Sequence, residues 1–218
     1  MDGQRPPTAW VFGNRPLPQA LTLAPLLRRL LAAVLSLEHE EEDVAHLIEV
    51  VSKTEESLAS RTPADPSPRI GPNPLVEQRV YLDHGRDVGA YNPCFPEYEI
   101  RVEGERARGT VSFPLAFEGP PAVVHGGFLA VFFDCIIQHH NCEFGVAGKT
   151  TGLSVEYLRP TPVLETLQFD IERASDARRI TSTARIEMNG ALLCLGTMEA
   201  VAGDRSRLPE VSPRQNHQ

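Results

Sequence analysis

Apolar residues recur along this chain with two different periods, and the change of period divides it. In the first part, Leu23, Leu27, Leu30, Leu31 and Val34 share one helical face, and Val44, Leu47, Ile48 and Val51 repeat the pattern. Two amphipathic helices, or one long bent one, are predicted. From Tyr98 the period falls to two: Tyr98, Ile100 and Val102 alternate with polar residues, as do Val111, Phe113, Leu115 and Phe117. The same alternation returns in Leu153, Val155 and Tyr157, in Leu167, Phe169 and Ile171, and in Ile180, Ala184, Ile186 and Met188. Asn189-Gly190 then predicts a hairpin into the run from Leu192 to Val201. Between the two groups of strands, Phe128, Leu129, Val131, Phe132, Phe133, Ile136 and Ile137 occupy every side of a helical wheel, which predicts a buried helix. Strands, one buried helix and more strands make an α+β domain with the helix on one face of an antiparallel sheet.

The proline-rich stretch TPADPSPRIGPNP at 62–74 reads as a linker. The chain is therefore expected to divide into a helical extension with its linker (1–72), a sheet-and-helix domain (73–203) and a polar, flexible tail (204–218). Glu40, Glu41, Glu42 and Asp43 suit the first turn of the second helix, where the dipole favours negative charge. A net charge of −8 argues against a nucleic-acid-binding surface. Cys94, Cys135, Cys142 and Cys194 have no C-x-x-C spacing and read as reduced thiols of a cytoplasmic protein. Arg28 and Arg29 interrupt the apolar stretch from Leu21 to Leu37, so no membrane span or secretory segment is expected. Residues 3–37 carry Arg5, Arg15, Arg28 and Arg29 and no acid, as transit segments do, but serine is nearly absent there and a plain extension is the expectation.

The chemistry concentrates in HGGFLAVFFD, residues 125–134. Asp134 falls inside the apolar helix, where desolvation is costly unless a partner or a reaction uses the carboxylate. Its structural alternative is an Asp satisfied by a hydroxyl or a backbone donor. Gly126 and Gly127 fall where the chain enters the helix, so their N–H groups are expected to face an oxyanion and the dipole to polarise a carbonyl. His125, just before them, suits a hydrogen bond that shapes the helix start better than direct proton transfer.

His125-Gly126-Gly127, Asp134, Thr150 and VEYLRPTP at 155–162 together resemble the hotdog-fold acyl-CoA thioesterases of the PaaI type, over residues 85–203. The resemblance implies an antiparallel sheet wrapped around one long central helix. It also implies a homodimer, or a dimer of dimers, whose active sites draw on two subunits. Implied too is hydrolysis of an acyl-CoA to free acid and coenzyme A, with no cofactor or metal beyond the coenzyme A of the substrate. Gly126 would polarise the thioester carbonyl and Asp134 would activate water or attack directly. Thr150 would hold the water, or Asp134, across the subunit boundary, and Arg159, Arg178 and Arg179 would meet the coenzyme A phosphates.

Cys135 stands where many relatives have an acid, and the helix ends in Gln138, His139, His140 and Asn141, a polar run that could line the acyl pocket. His139, His140 and Cys142 offer metal-type ligands, but in a crowded spacing unlike standard zinc motifs. Asp134 and His139 echo the Asp-x4-His pair of hotdog hydratases, yet five helical residues leave them about 140° apart. The alternative of another class is a non-catalytic acyl-CoA-binding or scaffold protein that uses the amphipathic extension to dock a partner.

Overall fold

The computed structural model describes residues 9–215 of the 218. Arg5 and the last three positions of the expected tail lie outside the described residues. Two helices, α1 (Pro18–Leu35) and α2 (Glu42–Ala59), precede a short parallel pair, β1 (Asp65–Pro68) and β2 (Gln78–Arg79). Then come β3 (Glu97–Glu103), β4 (Arg106–Ser112), the long helix α3 (Gly126–Phe144), β5 (Gly148–Tyr157), β6 (Thr166–Asp176), β7 (Arg179–Met188) and β8 (Ala191–Ala202). The last six strands form one antiparallel sheet in the order β3-β4-β6-β7-β8-β5.

Register follows the period-two pattern. Val111 lies opposite Leu167, Ile171 opposite Ala184 and Ile186 opposite Cys194, all buried. Onto this face α3 lays Leu129, Phe132, Phe133, Ile136 and Ile137. Phe132 meets the rings of Phe95, Tyr98, Phe113 and Phe169 at centroid distances of 6.0, 6.0, 5.4 and 5.6 Å. Gly196 makes the approach of Phe133 possible, since a Cβ there would come within 2.5 Å of the ring. At the β7–β8 turn Asn189 and Gly190 have φ of 51° and 77°, the left-handed pair that a two-residue hairpin needs.

Three expectations are corrected. The strand expected through Phe117 stops at Ser112; Pro114 has no N–H for a ladder, and Leu115–Phe117 turn as a short 3-10 segment. Residues 204–215, expected to fray, are tied down: Val211 bridges Ile70, Ser212 N–H donates to Arg69 O, and the Asn14 side chain donates to Ser212 O at 2.7 Å. The face of α3 carrying Phe128 and Val131 is not buried by its own chain, those residues being 37% and 52% exposed.

By length and composition α1 could cross a membrane, contrary to the reading of its two arginines. In the fold it lies on the sheet domain instead, through Ala24 and Arg28. The buried Arg28 guanidinium donates to the carbonyls of Phe95 (2.7 Å), Asn92 (2.9 Å) and Gly89, and meets Glu97 at 3.0 Å. α2 is separate from α1 and has no buried residue.

Candidate active site

α3 begins with a defined cap. His125 is the N-cap residue, and its Nδ1 accepts the Gly127 N–H at 3.0 Å. This fills the hydrogen-bonding part expected of His125. It also removes Gly127 as an oxyanion donor, because its N–H is taken. The Gly126 N–H has no acceptor among the described residues and carries the positive end of the helix dipole. Tyr157, at the end of β5, donates its hydroxyl to Gly126 O at 2.9 Å, and a Cβ on Gly126 would come 3.0 Å from its ring. Sequence reasoning gave Tyr157 no role at this turn, because only the return of β5 past the start of α3 brings it there.

Asp134 is half-buried rather than enclosed, since it borders the open face of α3. Its partner is on the same chain. Thr150 Oγ1 donates to Asp134 Oδ1 at 3.3 Å, which corrects the expectation that Thr150 acts across a subunit boundary. Gln138 Nε2 in turn donates to Thr150 Oγ1 at 2.8 Å and to Gly148 O at 3.2 Å. Because the amide fills the acceptor side of the hydroxyl, the Thr150 proton is directed at the carboxylate. Gln138 was missed as a member of this set, although its place four residues after Asp134 puts both on one face of α3. Beside them, burial and then the Asp134 charge push the Cys135 thiol up to about 12, which keeps it neutral and a poor nucleophile.

The rest of the polar run is structural. His139 Nδ1 pairs with Tyr98 Oη at 2.8 Å, and His140 Nε2 donates to Gly104 O at 2.8 Å. Burial pushes the His140 imidazole below its usual value. Asn141, expected to contact substrate, is fully buried and accepts from Arg173 Nε at 3.0 Å, while Arg173 also lies over the Phe144 ring. Among the described residues no group of His, Cys, Asp and Glu forms a metal site.

The three arginines expected to share coenzyme A phosphates are not together. Arg159 donates to Leu192 O at the start of β8, whereas Arg178 donates to Ala202 O and Arg179 lies opposite Val201 at its far end. Strand geometry separates the two ends by roughly 30 Å.

No family model and no curated protein matches the sequence. Among solved structures the chain is similar to the crystal structure of RHA08564, a thioesterase superfamily protein. The two share 24% identity over 88% of this chain and 99% of that one, with a TM-score of 0.66. Such coverage reaches into the N-terminal helices. The chain thus has the α+β hotdog fold, with α3 packed on a six-stranded antiparallel sheet and preceded by helices. A hypothetical thioesterase of Streptococcus pneumoniae TIGR4, solved with coenzyme A, shares 21% identity over 49% of this chain and 88% of its own, with a TM-score of 0.46. The E. coli PaaI protein from the phenylacetic acid degradation operon shares 17% over 48% and 82%, with a TM-score of 0.44.

Proposed function

We propose that this chain is an acyl-CoA thioesterase, a cytoplasmic homodimer that hydrolyses the thioester to free acid and coenzyme A. The observation that carries this reading is the hydrogen-bonded series Gln138, Thr150, Asp134 on the helix whose first N–H, at Gly126, is unpaired. A carboxylate held at one oxygen keeps the other for a water proton or for direct attack on the carbonyl carbon. In the first route water adds, Asp134 takes its proton, and the tetrahedral oxyanion faces the Gly126 N–H. The intermediate collapses with expulsion of the thiolate. A positioned base is worth roughly 10²–10⁴-fold and one oxyanion donor roughly 10²–10³-fold, enough for an already reactive ester.

Within one chain these groups do not meet on one substrate, because eight residues along α3 separate Gly126 from Asp134 by about 12 Å. A second α3, antiparallel to the first, brings its Gly126 to this Asp134. It would also cover Phe128 and Val131, and the open edge of β5 is free to pair.

The experiment is a panel of aromatic, short, medium and long acyl-CoAs assayed for free thiol, without added metal, on the wild type and Asp134→Asn. At least one substrate is expected to be hydrolysed, and the variant to lose about 100-fold in kcat, roughly 2.7 kcal/mol, with its fold and assembly retained. Near-normal turnover by the variant returns Asp134 to a structural role. Binding of acyl-CoA with no release of thiol by the wild type makes the chain a binding protein.

A further inference from the structure

Helix α1 turns only a narrow row toward its own domain. Ala24 and Arg28 are buried and Ala20 and Ala32 partly so, each four residues from the next, where α1 meets the 3-10 turns Val88–Ala90 and Leu115–Phe117. Beside that row run Leu23, Leu27, Leu30 and Val34, at alternating spacings of four and three residues. The three leucines are exposed, Leu23 by 52%. α2 repeats the pattern in Val44, Leu47, Val51 and Leu58, with Thr54 at the intervening step, and none of its residues is buried. Each stripe has the spacing of a helix–helix seam, and neither helix covers the other.

The large aliphatic side chains exposed on α1, α2 and the turn between them present roughly 1,000 Å² to solvent. That exceeds the roughly 300–600 Å² of the largest patch on an ordinary monomer and reaches the ~800 Å² a side of a stable protein interface. Charge discriminates between possible covers. α1 has no acidic side chain and exposes Arg29, whereas α2 carries Glu42, Asp43, Glu49, Glu55 and Glu56 against Lys53. Two α2 helices laid together would repel, and α1 laid on α2 would not. A lipid surface suits the pair poorly. Helices that lie on membranes carry Lys and Arg on the polar face, where α2 is acidic, and insertion of α1 would pull Arg28 from the carbonyls of Gly89, Asn92 and Phe95.

Each chain thus carries both halves of a complementary pair. Under a two-fold axis, α1 of each copy meets α2 of the other, so every seam is covered at once and every acidic helix faces an acid-free one. The surface is distinct from the α3 face and the β5 edge. α1 is anchored beside β3, through Phe95 and Glu97, and β3 and β5 are the opposite edges of the sheet.

We propose that α1 and α2 form an interaction surface for a second copy of this chain, the α1 seam of each packing on the α2 seam of the other. The inference does not depend on the thioesterase reading. It is tested by cross-linking full-length chains in a Cys94→Ser background, since Cys94 is the exposed native thiol, with that background alone as the blank. Leu27 and Val51 lie near the middle of their helices, so they meet whichever way the helices run. Differently tagged Leu27→Cys and Val51→Cys chains are co-expressed, purified together and treated with a short bismaleimide. A product joining one chain of each kind is expected, at least 10-fold above either variant linked to itself. Adding Leu23→Asp/Leu30→Asp to the first chain, which leaves the Arg28 anchor in place, is expected to abolish it. Absence of the mixed product, or its persistence with the two aspartates, overturns the proposal. A predominance of like-with-like product overturns it in favour of a homotypic contact. Linkage within a single chain carrying both cysteines shows instead that the two helices close on each other. Flotation of the wild type with phosphatidylcholine–phosphatidylserine vesicles overturns it in favour of a membrane. Thioester hydrolysis without the mixed product refutes only this contact, and the mixed product without hydrolysis refutes only the catalytic reading.

Discussion

Subunit complementation tests the separation of Gly126 from Asp134 directly. One parent is Asp134→Asn, which keeps the helix start but loses the carboxylate. The other is Gly126→Pro, which keeps Asp134 and removes the one N–H assigned to the oxyanion. Proline is suited to this position. Gly126 is the first residue of α3, where proline is favoured, and His125 has φ −63° and ψ 129°, the extended conformation required before it. The added ring atoms meet Tyr157, an exposed side chain with room to shift, and the His125 bond to Gly127 is untouched.

If each site takes Gly126 from one subunit and Asp134 from the other, a mixed dimer has one intact site and one doubly defective site. Random exchange of equal amounts makes half of the dimers mixed, so about one quarter of wild-type activity per site is expected to return. Each parent alone is expected to fall about 100-fold or more, so the recovered signal stands well above background. The assay is thiol release after mixing, with native mass spectrometry to count mixed dimers. Mixed dimers with activity no greater than the mean of the parents refute the shared site, and so does an active species that sediments as a monomer.

Two further outcomes concern stability. Arg28→Met removes the donors to the carbonyls of Gly89, Asn92 and Phe95 and is expected to cost roughly 2–4 kcal/mol in urea unfolding, with earlier proteolysis in α1; a loss under about 0.5 kcal/mol would show that α1 is held otherwise. His140 is buried with its imidazole pushed below the usual value, by desolvation first and with Arg173 adding to it. Below about pH 6.5 the unfolded chain binds a proton that the folded one resists, so the stability His140 contributes is full above that pH and is lost as pH falls. Melting temperature is therefore expected to fall from pH 7 to pH 5 less steeply in His140→Gln than in the wild type, and parallel profiles would refute this.

Much of the fold was legible because its signals are local. The period-two runs placed β3, β5, β6 and β7 close to their observed positions, whereas the run expected from Val111 to Phe117 meets β4 only at Val111 and Ser112, and β8 followed from the hairpin. Asn189-Gly190 marked a hairpin through its backbone preference, and the apolar wheel marked α3. Asp134 stood out because a carboxylate in such a helix needs a reason, and His125 because its place before two glycines suits a cap.

Other features depend on where distant segments meet. The alternation of β5 does not say that its first turn brings Thr150 onto Asp134 of the same chain, nor that Gln138 holds the hydroxyl from the other side. The polar end of α3 had the composition of a pocket wall, yet β3, β6 and the Gly104 turn close over it, so His139, His140 and Asn141 become core hydrogen-bonding groups. Arg159 and Arg178 both follow strands, and only the antiparallel course of β8 puts them at opposite ends of the sheet. Local sequence determined which backbone conformations and hydrophobic faces form, since these depend on neighbours within a few residues. Tertiary structure decided which polar groups those faces bring together, because such contacts join residues far apart in the chain.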